Sequence, residues 1–152
     1  MGALMTQNDD MLLAATAGKH FDGGCHCGQV RFRTIGPLGK LLICHCSDCM
    51  RIAGMSWGAT DVAFDRFELL RDDGLKWYDS SAIAKRGFCG NCGSSLFYKL
   101  HSKPVIAIAP GVFDNSDMLE VAGQIYAASH PGWGPCDSQT LPHLDEMWDA
   151  KP

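Results

Sequence analysis

Three thiols and an imidazole crowd into six residues at Cys44-His45-Cys46-Ser47-Asp48-Cys49, and two more cysteine pairs flank them, Cys25-His26-Cys27 and Cys89-Gly90-Asn91-Cys92. Seven of the eight cysteines are thereby clustered. No secretion signal is evident, and in such a chain the clusters point to soft-metal ligands rather than a disulfide framework, because a reducing compartment keeps thiols free. Zinc is the metal this donor set suits first.

The rest of the chain limits what the cysteines can organise. With 152 residues, 46% hydrophobic and 20% charged, it suits a single globular domain with an ordinary core. Seventeen glycines and seven prolines fall between short apolar runs, the mark of a turn-rich, mainly β protein rather than a helical bundle. A net charge of −4 and a pI near 5.8, with no local basic patch, argue against nucleic acid or an anionic membrane as partner.

Residues 1–19 read as a poorly ordered leader. Its apolar run Met11-Leu12-Leu13-Ala14-Ala15 is too short to span a bilayer and has Asp9 and Asp10 upstream in place of a basic region, so a cytoplasmic location is expected. Met1-Gly2-Ala3-Leu4-Met5-Thr6 fits the loose myristoylation pattern by chance, since no polybasic segment follows. A single domain is expected over residues 20–148.

Within that domain, Asp22-Gly23-Gly24-Cys25-His26-Cys27-Gly28 is a glycine-rich turn, and the alternation in Gln29-Val30-Arg31-Phe32-Arg33 signals a half-buried strand. Residues two apart on a strand lie about 7 Å apart, whereas two sulfurs on one tetrahedral zinc sit roughly 3.8 Å apart, so the backbone must curl there. Gly23, Gly24 and Gly28 permit the curl. Lys40-Leu41-Leu42-Ile43 is a strand leading into the central cluster, and Ser47 is the expected N-cap of a helical turn that returns Cys49 towards Cys44 and Cys46. His26 and His45 lie between cysteines, where side chains face away from a metal, and are not expected to be ligands.

Further on, Ser56-Trp57-Gly58-Ala59-Thr60 reads as a strand, and Asp72-Asp73-Gly74 between Phe67-Glu68-Leu69-Leu70-Arg71 and Leu75-Lys76-Trp77-Tyr78 reads as a hairpin turn. Cys89-Gly90-Asn91-Cys92-Gly93 has the form of a zinc knuckle. A thioredoxin-like redox motif would need a βαβ context, and Gly93-Ser94-Ser95-Leu96-Phe97-Tyr98 begins another strand instead. Strands are also expected at Pro104-Val105-Ile106-Ala107-Ile108-Ala109 and Gln124-Ile125-Tyr126-Ala127-Ala128. Cys136, in the loop Pro131-Gly132-Trp133-Gly134-Pro135-Cys136, has no ligand pattern around it and reads as a plain cysteine.

Seven thiols divide as four plus three. A closed four-cysteine zinc is structural, whereas a three-thiolate zinc keeps a position for solvent or substrate. Spacing does not say which cysteines share an ion. Joining Cys25 and Cys27 to Cys89 and Cys92 would clamp both ends of the β core and leave Cys44, Cys46 and Cys49 as an open, catalytic site.

Taken in order, Cys25-His26-Cys27-Gly28, Cys44-His45-Cys46-Ser47-Asp48-Cys49-Met50-Arg51 and Phe88-Cys89-Gly90-Asn91-Cys92-Gly93-Ser94 resemble the three signatures of the glutathione-dependent formaldehyde-activating (CENP-V/GFA) family. The likeness extends through Gly54, Gly74, Leu75, Tyr78 and Pro110-Gly111-Val112-Phe113-Asp114. It implies an Mss4-like zinc-binding fold of several small antiparallel sheets. It also implies a structural zinc on Cys25, Cys27, Cys89 and Cys92, and a second zinc on Cys44, Cys46 and Cys49. The implied activity is that of a carbon-sulfur lyase joining glutathione, or a similar small thiol, to formaldehyde. For the carboxylates of glutathione, Arg51, Arg86, Lys85 and Lys40 are the candidate partners. The chain departs from many members in carrying Gln124-Ile125-Tyr126 where they have a histidine before the late strand. A monomer or homodimer is expected.

Two rival readings remain. A non-enzymatic zinc-stabilised β module would bind a protein partner through an exposed patch involving Trp57, Trp77 or Trp133 and would have no pocket at the three-cysteine site. A redox switch would exchange zinc for a disulfide among Cys44, Cys46 and Cys49.

Overall fold

Short apolar runs separated by glycine and proline become ten strands in the computed structural model, which describes residues 7–133. They are β1 (His20–Gly24), β2 (Arg31–Ile35), β3 (Leu41–Cys44), β4 (Trp57–Ala63), β5 (Phe67–Arg71), β6 (Leu75–Asp79), β7 (Ala84–Cys89), β8 (Ser95–Leu100), β9 (Val105–Ile108) and β10 (Val121–Ile125). Two helices accompany them, α1 (Gln7–Thr16) and α2 (Ser47–Ala53). The protein is mainly β, as the turn-rich composition implies.

The strands form two sheets. The smaller has the order β1-β2-β5, and the larger runs β10-β3-β4-β9-β8-β7-β6. All pairings are antiparallel except β10 with β3, so the expectation of wholly antiparallel sheets needs that one correction. β10 also begins at Val121, three residues before the strand expected from the sequence; Tyr126 has already left it with φ of 54°.

The expected hairpin at Asp72-Asp73-Gly74 does not form. The turn itself is present, with the Leu75 amide donating to the Asp72 carbonyl, but β5 pairs with β2 and β6 pairs with β7. The turn therefore carries the chain from one sheet to the other. What diverts it is tertiary: the Gly74 amide donates to the Gln29 carbonyl and the Gly90 amide to the Gly74 carbonyl, holding the turn against both cysteine-bearing loops.

Between the sheets lies an aromatic core. Phe32 is fully buried, with Phe97 and Phe113 edge-on at ring separations of 5.4 and 5.5 Å and Phe67 stacked at 5.7 Å. Val30, Leu38, Leu96, Ile106 and Ile108 fill the remaining space. Burying each such side chain contributes about 1.5–3 kcal/mol, and each aromatic pair roughly 0.5–1.5 kcal/mol beyond that.

Where the sequence suggests a poorly ordered leader, the backbone of Gln7–Thr16 is helical. The helix is tied down at its last residue. Thr16 is buried, its hydroxyl donates to the Leu12 carbonyl at 2.7 Å, and the Leu38 amide donates to that hydroxyl at 2.9 Å. No described helix is long and apolar enough to cross a membrane.

Candidate metal centres and the cavity beside one of them

Each end of the four-cysteine cluster is set by a tight turn. After β1, the Gly28 amide donates to the Cys25 carbonyl and Gly28 takes φ of 80°, a left-handed conformation that glycine adopts freely, while the Val30 amide donates to Cys25 Sγ at 3.2 Å. At the end of β7, the Gly93 amide closes the Cys89-Gly90-Asn91-Cys92 turn on the Cys89 carbonyl at 2.8 Å. The loops meet, with the His26 amide donating to Ser94 Oγ, so that the four sulfurs of Cys25, Cys27, Cys89 and Cys92 lie within 4.8 Å of one another. Cys25 to Cys27 is 3.5 Å and Cys27 to Cys89 is 3.7 Å. These spacings match the roughly 3.8 Å between sulfurs on one tetrahedral zinc.

The surroundings favour the thiolate at two of the four; at Cys89 the Cys92 amide lowers the value, but burial and the neighbouring Cys92 and Cys25 sulfurs push the thiol up to about 11. The Ser94 hydroxyl beside it brings the Cys92 thiol down to about 5. Asn91, and then the Gln29 amide, lower that of Cys27. Space is also fitted to the sulfurs: a Cβ at Gly74 would meet Cys89 Sγ at 2.8 Å. None of the seven described cysteines is in a disulfide. Both the chemistry and the spacing of the donors fit a metal.

The second cluster comes from one segment. β3 delivers Cys44, and α2 folds Cys49 back over it, bringing the sulfurs of Cys44, Cys46 and Cys49 within 4.8 Å of one another. The N-cap is Cys46 rather than the expected Ser47: its backbone is extended and its Sγ accepts from the Cys49 amide at 3.4 Å. A sulfur can cap a helix in place of a hydroxyl, and here the cap turns that sulfur towards the other two. Gly54, at φ of 78°, ends the helix.

Charge in this cluster concentrates on Cys46. Contacts with Cys44 and Cys49, together with the amides of Cys49 and Asp48, lower its thiol to about 2. Cys44 is pushed the other way by its contacts with Cys46 and Cys49 and by burial. For Cys49, Cys44 lowers the value, but Cys46 and burial outweigh it and the net direction is upward.

All three cysteines line a cavity of about 330 Å³. Leu42, Ala59, Ile83, Ala107 and Ile125 form its apolar wall, and Arg86, Trp57, Tyr98 and Tyr126 supply polar groups. Sheet register explains the gathering: Cys44 pairs with Trp57, and Arg86 with Tyr98. Arg86 is 6% exposed, its Nη2 donates to Cys49 Sγ at 3.4 Å, and its guanidinium lies 4.9 Å from the Tyr98 ring and 5.6 Å from Trp57. Burial raises the hydroxyl of Tyr126, which the nearby sulfur charges raise further, so it remains a proton donor.

Of the candidate carboxylate partners, only Arg86 reaches this cavity. Arg51 is exposed in the last turn of α2, Lys85 sits 4.5 Å above the Trp77 ring, and Lys40 is not part of the wall. Helical spacing places Arg51 two residues from Cys49 and hence off its face. His45 is buried, pairs through Nε2 with Gln124 Oε1 at 2.7 Å and meets the His130 ring edge-on. Neither it nor His26 joins the sulfur clusters. Trp77 and Trp133 are exposed, but Trp57 is buried in the cavity wall, which the binding-module reading did not expect. Cys136 lies outside the described residues. Sequence reasoning missed Trp57, Tyr98 and Tyr126 as wall residues; their aromatic character was visible, their strand partners were not.

Comparison with known proteins agrees with this architecture. The family model described as glutathione-dependent formaldehyde-activating enzyme matches residues 20–129. The chain is 31% identical over 78 residues to an uncharacterized lyase of Schizosaccharomyces pombe, covering 51% of this chain and 56% of that one. It is 32% identical over 89 residues to a putative glutathione-dependent formaldehyde-activating enzyme of Halomonas elongata, covering 50% and 54%. The chain thus spans about half the length of these curated relatives. A crystal structure of a Rhodobacter sphaeroides protein superposes with a TM-score of 0.55 at 24% identity, over 66% of this chain and 96% of that chain, and shows a shared fold.

Proposed function

The chain belongs to the glutathione-dependent formaldehyde-activating enzyme family, and from that footing we propose a zinc-dependent carbon-sulfur lyase that makes and breaks adducts between a small thiol and an aldehyde, with glutathione as the leading thiol. The observation that carries this reading is the pairing of three clustered sulfurs, rather than four, with a cavity of about 330 Å³. That volume is within the usual range for small-molecule sites.

Cys25, Cys27, Cys89 and Cys92 would hold a structural zinc and Cys44, Cys46 and Cys49 a second. Zinc on the three cysteines would supply a Lewis acid with one free position, lowering the pKa of an incoming thiol there. The chain's own residues do the rest. The apolar wall of Leu42, Ala107 and Ile125 lowers the local dielectric, which strengthens the charge of Arg86 on anything bound beside Cys49. In the forward direction the thiolate bonds to the carbonyl carbon, the carbon-oxygen π pair moves to oxygen, and that oxygen takes a proton; cleavage reverses each step. Seven free thiols suit a reducing, cytoplasmic setting.

Calorimetry of the metal-loaded protein with glutathione, together with the rate of exchange between glutathione, formaldehyde and their adduct, tests the reading. Binding and accelerated exchange are expected. Absence of both would contradict it.

A further inference from the structure

Arg86 has more hydrogen-bonding capacity than the fold uses. Nη2 donates to the Cys49 sulfur at 3.4 Å, whereas Nε and Nη1 are buried and meet no acceptor among the described residues. Trp57, another wall residue, has its Nε1 buried in the same condition. Leaving such donors unmet is costly, most of all on a charged group. Stacking near Trp57 and Tyr98 fixes the guanidinium plane, and the fork of Arg is suited to an anionic oxygen.

Position decides which oxygen. A guanidinium touching one of the three cysteines is beside the place where an incoming sulfur would sit, whereas the carboxylates of glutathione are separated from its sulfur by many bonds. The oxygen that falls next to Arg86 is the one on the carbon that the sulfur attacks. Resting on the thiol-adduct reading above, we propose that Arg86 is a catalytic residue that holds the carbonyl oxygen as it becomes an alkoxide, with Trp57 Nε1 as a second donor, rather than an anchor for a remote carboxylate.

Electrons and protons balance without any further reactant. The sulfur lone pair forms the S–C bond, the π pair becomes an oxygen lone pair, and water returns to that oxygen the proton the thiol released on ionising. Arg86 serves only as a hydrogen-bond donor and passes no proton to the oxygen.

The test compares two small thiols, mercaptoacetate and ethanethiol, which differ in an oxyanion close to sulfur. Binding is followed by calorimetry on metal-loaded wild type, Arg86→Gln and Arg86→Lys. Wild type is expected to prefer mercaptoacetate by about 10-fold or more, Arg86→Gln to lose that preference, and Arg86→Lys to keep part of it, since Lys retains the charge without the fork. In turnover, Arg86→Gln is expected to lower kcat by about 100-fold with the KM for glutathione nearly unchanged, as for loss of an oxyanion donor. Metal content and thermal melting establish that each variant is folded; should Arg86→Gln fail to fold, Arg86→Lys carries the comparison. Equal binding of the two thiols by wild type, or a preference that survives in the folded variant, would overturn the role of Arg86 while leaving the thiol-adduct reading intact. If neither thiol binds wild type while glutathione does, the role of Arg86 is overturned and the thiol-adduct reading stands; if glutathione shows neither binding nor exchange, both fall.

Discussion

The two cysteine clusters are closed by the chain in opposite ways. Cys27 and Cys89, 62 residues apart, are brought to 3.7 Å, so the four-cysteine cluster is a cross-link between the loop after β1 and the turn after β7. Cys44, Cys46 and Cys49 come from a single strand-to-helix segment and cross-link nothing distant; they face a cavity instead. On the proposed reading, the long-range closure holds the fold and the local one presents a metal to the cavity. β7 serves both. Arg86 and Cys89 are three residues apart on it, hence on opposite faces, one towards each cluster.

The largest test of this contrast is Cys89→Ser. A structural zinc contributes about 10–16 kcal/mol, comparable with the whole stability of a domain, so the variant is expected to lose cooperative thermal unfolding altogether. Cys46→Ala is expected to differ in kind: metal content falls from about two ions per chain to about one, exchange activity is lost, and the fold survives with about 1 kcal/mol less stability from the missing cap. If both variants unfolded alike, or both stayed folded, the contrast would be broken.

Asp61, on β4 and outside both clusters, separates ordinary pH effects from metal loss. Burial pushes its carboxyl up to about 6 from an ordinary 3.8, so the folded state holds the proton more tightly than the unfolded chain. Its contribution is therefore fully present below about pH 4, is lost as pH rises towards 6, and is constant above that. Metal binding by thiols runs the other way, strengthening as pH rises. Asp61→Asn is expected to be more stable than wild type by about 2–3 kcal/mol at pH 7.5, with the gap narrowing towards pH 4.5 in denaturant titrations. The most local effect is expected from Gly74→Ala. Its Cβ would press on Cys89 Sγ at 2.8 Å and Gln29 Cβ at 3.0 Å, costing about 1–3 kcal/mol by melting and weakening the four-cysteine metal without altering the other.

The ligand sets were legible as clusters because cysteine spacing is local, and the glycines that curl their loops stand beside them. Strand partnership was not. Asp72-Asp73-Gly74 carries every local sign of a hairpin, yet its backbone is claimed by Gln29 and Gly90 from loops far along the chain. Arg86 failed to stand out from Arg51 for the same reason: both lie near cysteines in some sense, but only pairing of β7 with β8 and of β3 with β4 reveals which one shares a wall with Trp57, Tyr98 and Cys49. The helix at Gln7–Thr16 escaped notice because it is held through the Thr16 hydroxyl and the Leu38 amide, a contact no periodicity announces.

Whether one cluster is closed and the other open can be read from cobalt in place of zinc, because sulfur-to-cobalt absorption rises with each thiolate bound. Glutathione added to the cobalt-loaded protein is expected to raise that absorption by one further thiolate per chain in wild type, and to leave Cys46→Ala unchanged. No rise in wild type, or an equal rise in the variant, would contradict the division of the seven cysteines into a fastening site and a working one.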